Sequence, residues 1–384
     1  MNSSSPFEKW LVRTCENLFP FQAILGIAGN LLNLSVLLSR GMRKRSNTIL
    51  ALAAFSDILF LLALVPLNLS RKRRFMYYDP PCEPKPCFTP YAMFFRRYKP
   101  NLTFLVNWFS GTGSWFLVSV SFERLWAIKN PVVASNRIGI CPLKQVVLVT
   151  FIFVASALLS FHNNISFQSM DANGTMLVQD GEEAWGMLAS SLALINMFSQ
   201  TIAPVFLLVC INFFLLYYLH ERRHMFAPAP RDSSLRSEDE MPPLVDGPLP
   251  HSAPFPAPRN WGRQILRAER HVTITVVAIL TSYVLTHLPS IAIYANMYLF
   301  NVHDKYRSSN TYMWVALSSA IVATGKVANF FLFCLSSAHF RRQLIKQMKR
   351  LFFRHAISVK DSNHQPATRS IPLNTIDHSP RVTP

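Results

Sequence analysis

A few ionisable residues stand inside runs of apolar sequence, and they set the chemistry open to this chain. Asp57 lies between Leu52-Ala53-Ala54-Phe55-Ser56 and Ile58-Leu59-Phe60, and Lys326 lies in a late apolar run ahead of Asn329. Glu123-Arg124 closes a third run, and His287 stands two residues before Pro289 in another. A charge in an apolar run is expensive and marks a functional site by default. An unpaired ammonium at Lys326 would be costly, so it needs a partner. The chemistry expected of such residues is charge pairing and switching rather than bond making. The runs hold no His/Asp cluster and no Ser/Lys nucleophile pair, and the cysteine spacings do not read as a zinc site. No catalytic residue, metal or cofactor is expected. A separate set is basic and aromatic: Arg71, Arg73, Arg74, Tyr77, Tyr78, Arg96 and Arg97, with Phe75, Phe94 and Phe95 among them. It suits a peptide or an acidic ligand. The acidic stretch containing Asp171, Asp180, Glu182 and Glu183 offers it an internal partner instead.

The elements that must position these residues are membrane helices. Half of the 384 residues are hydrophobic and only 15% are charged. The formal charge of +18 would fit a nucleic-acid partner, but the basic residues flank apolar spans, which is the pattern of a membrane protein on anionic lipid. A crossing needs about 20 mostly apolar residues. Seven runs qualify, at about Phe19–Leu38, Thr48–Leu69, Leu102–Ile128, Gln145–Phe161, Trp185–Leu219, His271–Leu299 and Tyr312–Leu335. The third is broken by Asn107, Ser110, Gly111, Thr112, Gly113 and Ser114, which suit helix packing better than lipid contact. The expected fold is all-α, a seven-transmembrane helix bundle. A cytoplasmic amphipathic eighth helix follows, on Phe340, Leu344, Met348, Leu351 and Phe352.

Arg40, Arg43, Lys44 and Arg45 after the first run, and Arg341, Arg342, Lys346, Lys349 and Arg350 after the seventh, belong on the cytoplasmic side. The N-terminus then lies outside, with no cleaved leader read before the first span. Asn2 and Asn173 become candidate glycosylation sites there. The basic stretch from Ser70 to Pro100 opposes this orientation but is outweighed by the other two clusters. The domain reading is an extracellular N-terminus over 1–18, a receptor domain over 19–353 and a tail over 354–384. Within it, the proline-rich stretch at about 222–262 reads as a disordered cytoplasmic loop, and the tail also reads as disordered.

Span count alone does not give function. The order of polar residues and prolines does: Gly29-Asn30, Asp57, Glu123-Arg124-Leu125, Pro204, Pro289, Asn329 and Phe340-Arg341. The set, over about Phe19 to Phe353, resembles the rhodopsin-like G protein-coupled receptors. The resemblance implies that Asn30, Asp57 and Asn329 form a polar hub. It makes Arg124 the cytoplasmic switch that meets a heterotrimeric G protein, with Glu269 as its acidic lock partner. Glu123 and Glu269 as mere solvated helix-end charges are the bland alternative. Pro204 and Pro289 become pivots, with His287 where the family usually has a switch tryptophan. The resemblance also implies Asp57 as the nearest partner for Lys326. The ammonium would replace a sodium ion that most members hold, in keeping with Gly113 and Gly325 at positions often given to sodium ligands.

Departures from the pattern matter. Phe330 and Phe333 stand where most members have Pro and Tyr, and Asn212 stands where span five usually has Tyr. The water-bridged tyrosine pair of the family's active state therefore cannot form, and span four lacks its usual Trp, so activation must rest on other contacts or be weaker. Ala323 occupies the place of the opsin lysine, which argues against a photopigment. Lys99 replaces the usual disulfide cysteine of span three; Cys82 with Cys87, or Cys15 with either, are the pairings left open. Val106 replaces the aspartate that grips amine ligands. The reading is a plasma-membrane receptor, neuropeptide-receptor-like, with arrestin-like regulators acting on phosphorylated loop and tail serines. A small-molecule chemoreceptor is the rival within the fold, and a channel or transporter the rival outside it.

Overall fold

The computed structural model describes residues 6–40, 42, 45–78, 87–130, 142–161, 182–225, 276–293, 295, 309–336 and 340–350. Six helices are long and apolar enough to cross a membrane: Pro6–Leu37, Arg45–Leu69, Leu143–Ser160, Ser191–Tyr218, Val276–Ile293 and Met313–Leu335. In lipid, a helix is the open-chain structure that satisfies every backbone N–H and C=O internally. The helices are α1 (Pro6–Leu37), α2 (Arg45–Leu69), α3 (Pro90–Lys129) and α4 (Pro142–Ser160). Next comes α5, built from Glu182–Met197 and Ala203–Met225 joined through a π-helical turn, Phe198–Ile202. The bundle is completed by α6 (Val276–Ile293) and α7 (Ser309–Ser336), and α8 covers 340–350.

The seventh crossing is α3. Polar and small residues lower its apolarity, and they are buried: Gly111, Thr112, Gly113 and Ser114 all face other helices. α3 packs along α2, α4 and α5, while α1 packs along α2 and α7. Close approach is built from glycine. A Cβ on Gly29 would lie 2.8 Å from Phe330 Cβ, and one on Gly26 would lie 2.5 Å from a Leu61 methyl. Phe330 therefore fills a seat against α1, and α7 runs unbroken without a proline.

Two apolar clusters form the core. The larger includes Val36, Ile49, Phe116, Val120, Leu280, Phe333 and Phe340; the smaller includes Phe19, Phe60, Leu61, Phe109 and Ala323. Between the two clusters, α2, α3 and α7 each place a polar or small residue, Asp57, Gly113 and Lys326.

Helix extends past several expected boundaries. α1 begins at Pro6, so helix covers most of the expected 1–18 tail. α5 continues to Met225, past the expected start of the loop at 222. Within the Ser70–Pro100 stretch, the described residues 70–78 and 87–100 include two helical segments. Arg73–Met76 forms one turn, and α3 already starts at Pro90, where Thr89 Oγ1 accepts the Ala92 N–H at 3.1 Å and Pro90 occupies the first helical position. Forty residues make α3 about 60 Å long, twice the hydrocarbon thickness, so its first turns project from the bilayer. The rest of the expected loop, up to residue 262, and the 354–384 tail lie outside the described residues.

Candidate functional site

The expected hub is assembled at the polar layer. Lys326 Nζ lies 2.6 Å from Asp57 Oδ1, with the two side chains 3% and 5% exposed. Asn329 Nδ2 donates to the other carboxylate oxygen at 3.0 Å. Both oxygens of Asp57 thus have partners on α7. The ammonium also sits 5.6 Å from the Phe60 ring centroid and 5.7 Å from that of Tyr283, a cation–π contact on either side. Gly113 leaves the pair its space: a Cβ there would meet Asp57 Oδ1 at 3.5 Å and Lys326 Nζ at 3.7 Å. Asn30 Nδ2 donates to Gly26 O at 2.9 Å and to the Lys326 carbonyl at 3.2 Å, so α1 holds the backbone of the same α7 turn. Gln22 adds bonds from α1 to Ala320 O at 3.0 Å and Thr324 Oγ1 at 2.7 Å.

α6 joins this layer through Tyr283. Its hydroxyl bonds Ser114 on α3. Its ring stacks on His287 with centroids 3.9 Å apart. His287 Nδ1 lies 2.9 Å from Tyr283 O, while Nε2, also buried, has no hydrogen-bond partner among the described residues. Pro289 follows in the same helix, and Ser290 reaches Ser318 on α7 at 2.5 Å. Pro204 is buried in α5, two residues past the end of the π turn. Proline offers no N–H to the preceding turn, and a widened turn is one way a helix accommodates the loss. That turn aims Gln200 at α3 and α4. Its amide abuts Gly111, where any Cβ would overlap it, and Nε2 donates to Ser156 O at 3.3 Å.

At the end of the bundle near α8, Glu123 pairs with Arg45 Nε at 2.5 Å, tying the end of α3 to the start of α2. Glu123 is therefore not simply a solvated charge. Arg124 is half-buried beside it. Glu269, its expected partner, lies outside the described residues. Arg341 Nη1 donates to the Cys334 and Leu335 carbonyls at 2.8 and 2.9 Å, capping α7, and Phe340 stacks on Phe333.

At the opposite end, the basic and aromatic set forms a cap. Tyr77 and Phe88 make an isolated antiparallel bridge, and the Tyr78 N–H donates to Cys87 O at 3.2 Å. Tyr91 packs on Phe75 and Phe95 and donates to Pro66 O at 2.5 Å, fixing the start of α3 to the end of α2. Arg74 lies over Phe75, Arg96 over Phe88 and Arg97 over Tyr98. Arg73, Arg74, Arg96 and Arg97 are exposed, and Arg71 is half-buried. Cys87 is disulfide-bonded and Cys15 is a free thiol, so the pairing of Cys15 considered from the sequence is not formed. Cys82, Asn2, Asn173 and Asp171 and Asp180 of the acidic stretch lie outside the described residues.

Sequence reasoning missed Tyr283, the Gln200–Gly111 contact and the Arg45–Glu123 pair. A polar Gln just ahead of Pro204 in an apolar run was the one available signal.

A bundle of apolar helices with a charged pair buried inside it, and no strand beyond one isolated bridge among the described residues, is the architecture of a multi-pass membrane protein. The model of the serpentine type 7TM GPCR chemoreceptor family Srw matches residues 18–238, and the chain belongs to that family. A provisionally assigned G-protein coupled receptor of Caenorhabditis elegans is 28% identical over 356 residues, covering 87% of this chain and 72% of that one. The family description names chemoreception and does not carry the neuropeptide assignment.

Proposed function

We propose that this chain is a plasma-membrane receptor with its N-terminus outside, binding a peptide at the cap and activating heterotrimeric G proteins through Arg124. The observation that carries the switching part of this reading is the closed assembly of Asp57, Lys326 and Asn329, joined to α6 through Tyr283. It links α2, α3, α6 and α7 at one depth. A rearrangement there changes contacts on several helices at once, which is how a small shift in one place biases a two-state bundle. The Lys326 ammonium takes the place that a sodium ion holds in rhodopsin-like receptors, so ligand affinity is independent of sodium at fixed ionic strength. Replacement of sodium by choline that changed affinity severalfold would remove that part of the reading. Glycans on Asn2 and Asn173, the Arg124–Glu269 lock and arrestin-like partners belong to the same proposal.

A second reading, a small-molecule chemoreceptor, is favoured by the family description. G-protein dissociation in cells challenged with a peptide library and a small-molecule library separates the two. The control is Arg124→Ala at matched surface expression. A peptide active on the wild type and silent on the variant supports the first reading. Activity confined to small molecules moves the second ahead, and equal signalling by the variant removes Arg124 from the switch.

A further inference from the structure

We infer that the cap docks an acidic peptide segment that also carries aromatic or aliphatic side chains. This rests on the reading above that the cap faces outward and meets a peptide; it adds the chemistry by which that peptide is recognised.

Among the described residues of the cap, the charge has one sign. Arg71, Lys72, Arg73, Arg74, Arg96, Arg97 and Lys99 are all basic, and no acidic side chain stands among the described residues from 70 to 99. Arg73, Arg74, Arg96 and Arg97 make no ion pair among the described residues, so their guanidinium edges are not committed to a carboxylate there. Three guanidinium groups lie against rings of the cap itself, at 4.9, 5.2 and 6.0 Å from the centroids. Contact with a ring restrains the group and leaves N–H donors for bidentate contact with a carboxylate. Less side-chain freedom is then lost when a ligand binds.

The backbone beneath is also fixed. The Tyr77–Phe88 bridge, the Thr89 N–H bond to Met76 O at 3.2 Å and the Tyr91 bond to Pro66 anchor the platform to α2 and α3. Basic residues are disfavoured in a segment carried across the membrane, so this concentration opposes the topogenic preference and calls for another use.

The aromatic surface decides the kind of anion. Tyr77, Tyr78, Phe88, Phe94 and Tyr98 remain 37–50% exposed beside the arginines. A sulfated glycan or a lipid headgroup would neutralise the guanidinium groups and leave these rings in water. A peptide with alternating acidic and apolar side chains covers both.

The test uses the full-length receptor in nanodiscs of zwitterionic lipid and a short fluorescent peptide of alternating glutamate and tyrosine. Binding is expected, weakening as salt rises. Combined substitution of Arg73→Gln, Arg74→Gln, Arg96→Gln and Arg97→Gln is expected to weaken it by at least ~tenfold, as lost charge-assisted hydrogen bonds imply. Arg96→Lys with Arg97→Lys keeps the charge, loses the planar fork, and is expected to give a smaller loss. That pair serves as the probe if the fourfold variant does not reach the wild-type melting temperature. A peptide with lysine for glutamate should not bind, and one with glycine for tyrosine should bind more weakly. The inference is overturned by equal binding to the wild type and the folded variants, by no binding at all, or by binding of heparin or anionic vesicles with none of the peptide. Binding is read without a G protein, so its failure leaves the Arg124-dependent signalling experiment to judge the receptor reading separately.

Discussion

Two ion pairs in this molecule look alike on paper and differ in surroundings. Lys326–Asp57 and Arg45–Glu123 are 2.6 and 2.5 Å apart. The first is 3% and 5% exposed, and the second is 38% and 18% exposed. Distance therefore does not separate them; dielectric does. Between buried charges the attraction is several times stronger than at a surface, but each ion has also lost its hydration. The buried pair is consequently hard to break one partner at a time and replaceable as a unit. The outer pair is weaker and screened by salt, so it exchanges partners at lower cost.

The largest effect expected from this contrast is Asp57→Ala. It leaves the Lys326 ammonium buried between two rings with no counter-charge, at a cost of about 3–5 kcal/mol. The variant should show a strongly lowered melting temperature in detergent, or no surface expression. Asp57→Asn with Lys326→Met removes both charges at similar volume and should recover most of the loss. A double variant as unstable as the single would mean that the pair contributes net attraction that neutral packing cannot replace.

A smaller effect sharpens the contrast from the packing side of the same layer. Gly111→Ala places a methyl on the Gln200 amide and should cost about 1–3 kcal/mol by overpacking. Gly113→Ala, two residues further along the same helix, meets Asp57 and Lys326 at ordinary contact distance and should be near neutral in the same thermal assay. Equal losses at both positions would indicate that helix α3 tolerates no added bulk anywhere in its centre, and the special fit of Gln200 would be lost as an explanation. Tyr283→Phe keeps the ring over Lys326 and removes the bond to Ser114, with a loss of about 1 kcal/mol. A loss of several kcal/mol would instead assign the hydroxyl a part in holding the pair.

What could be read in the sequence follows the same division between local and distant causes. Apolar runs report membrane helices because span length is set by the bilayer, and an ammonium amid apolar residues demands attention wherever it stands. The outer part of α3 was missed because Arg96, Arg97 and Lys99 break the apolar run, although Thr89-Pro90 is a local helix-start signal that does not depend on the membrane. Tyr283 reads in sequence as one more core aromatic; only the meeting of α6 with α3 and α7 gives it a role. Arg45 and Glu123 lie on different helices with no sequence relation, so their pairing needed three dimensions. The family also departs from the neuropeptide resemblance, and that distinction rests on the ligand, which the helix core motifs do not encode.

The smallest expected effect is at the outer pair, and there the comparison is most exposed to failure. Arg45→Ala removes a partly exposed arginine from a 2.5 Å contact. A pair of this exposure is worth at most about 1 kcal/mol, so the melting temperature should move little, and less still in high salt. Its functional effect need not be small. Glu123 precedes Arg124, and releasing it from α2 frees the end of α3 in the part of the bundle assigned to the G protein. Basal signalling of Arg45→Ala should therefore rise above wild type at matched surface expression, while its stability stays within about 1 kcal/mol. The charge-retaining Arg45→Lys should lie between the two. A large drop in stability with no change in basal signalling would make this pair as costly to break as Lys326–Asp57, and the contrast drawn from exposure would fall.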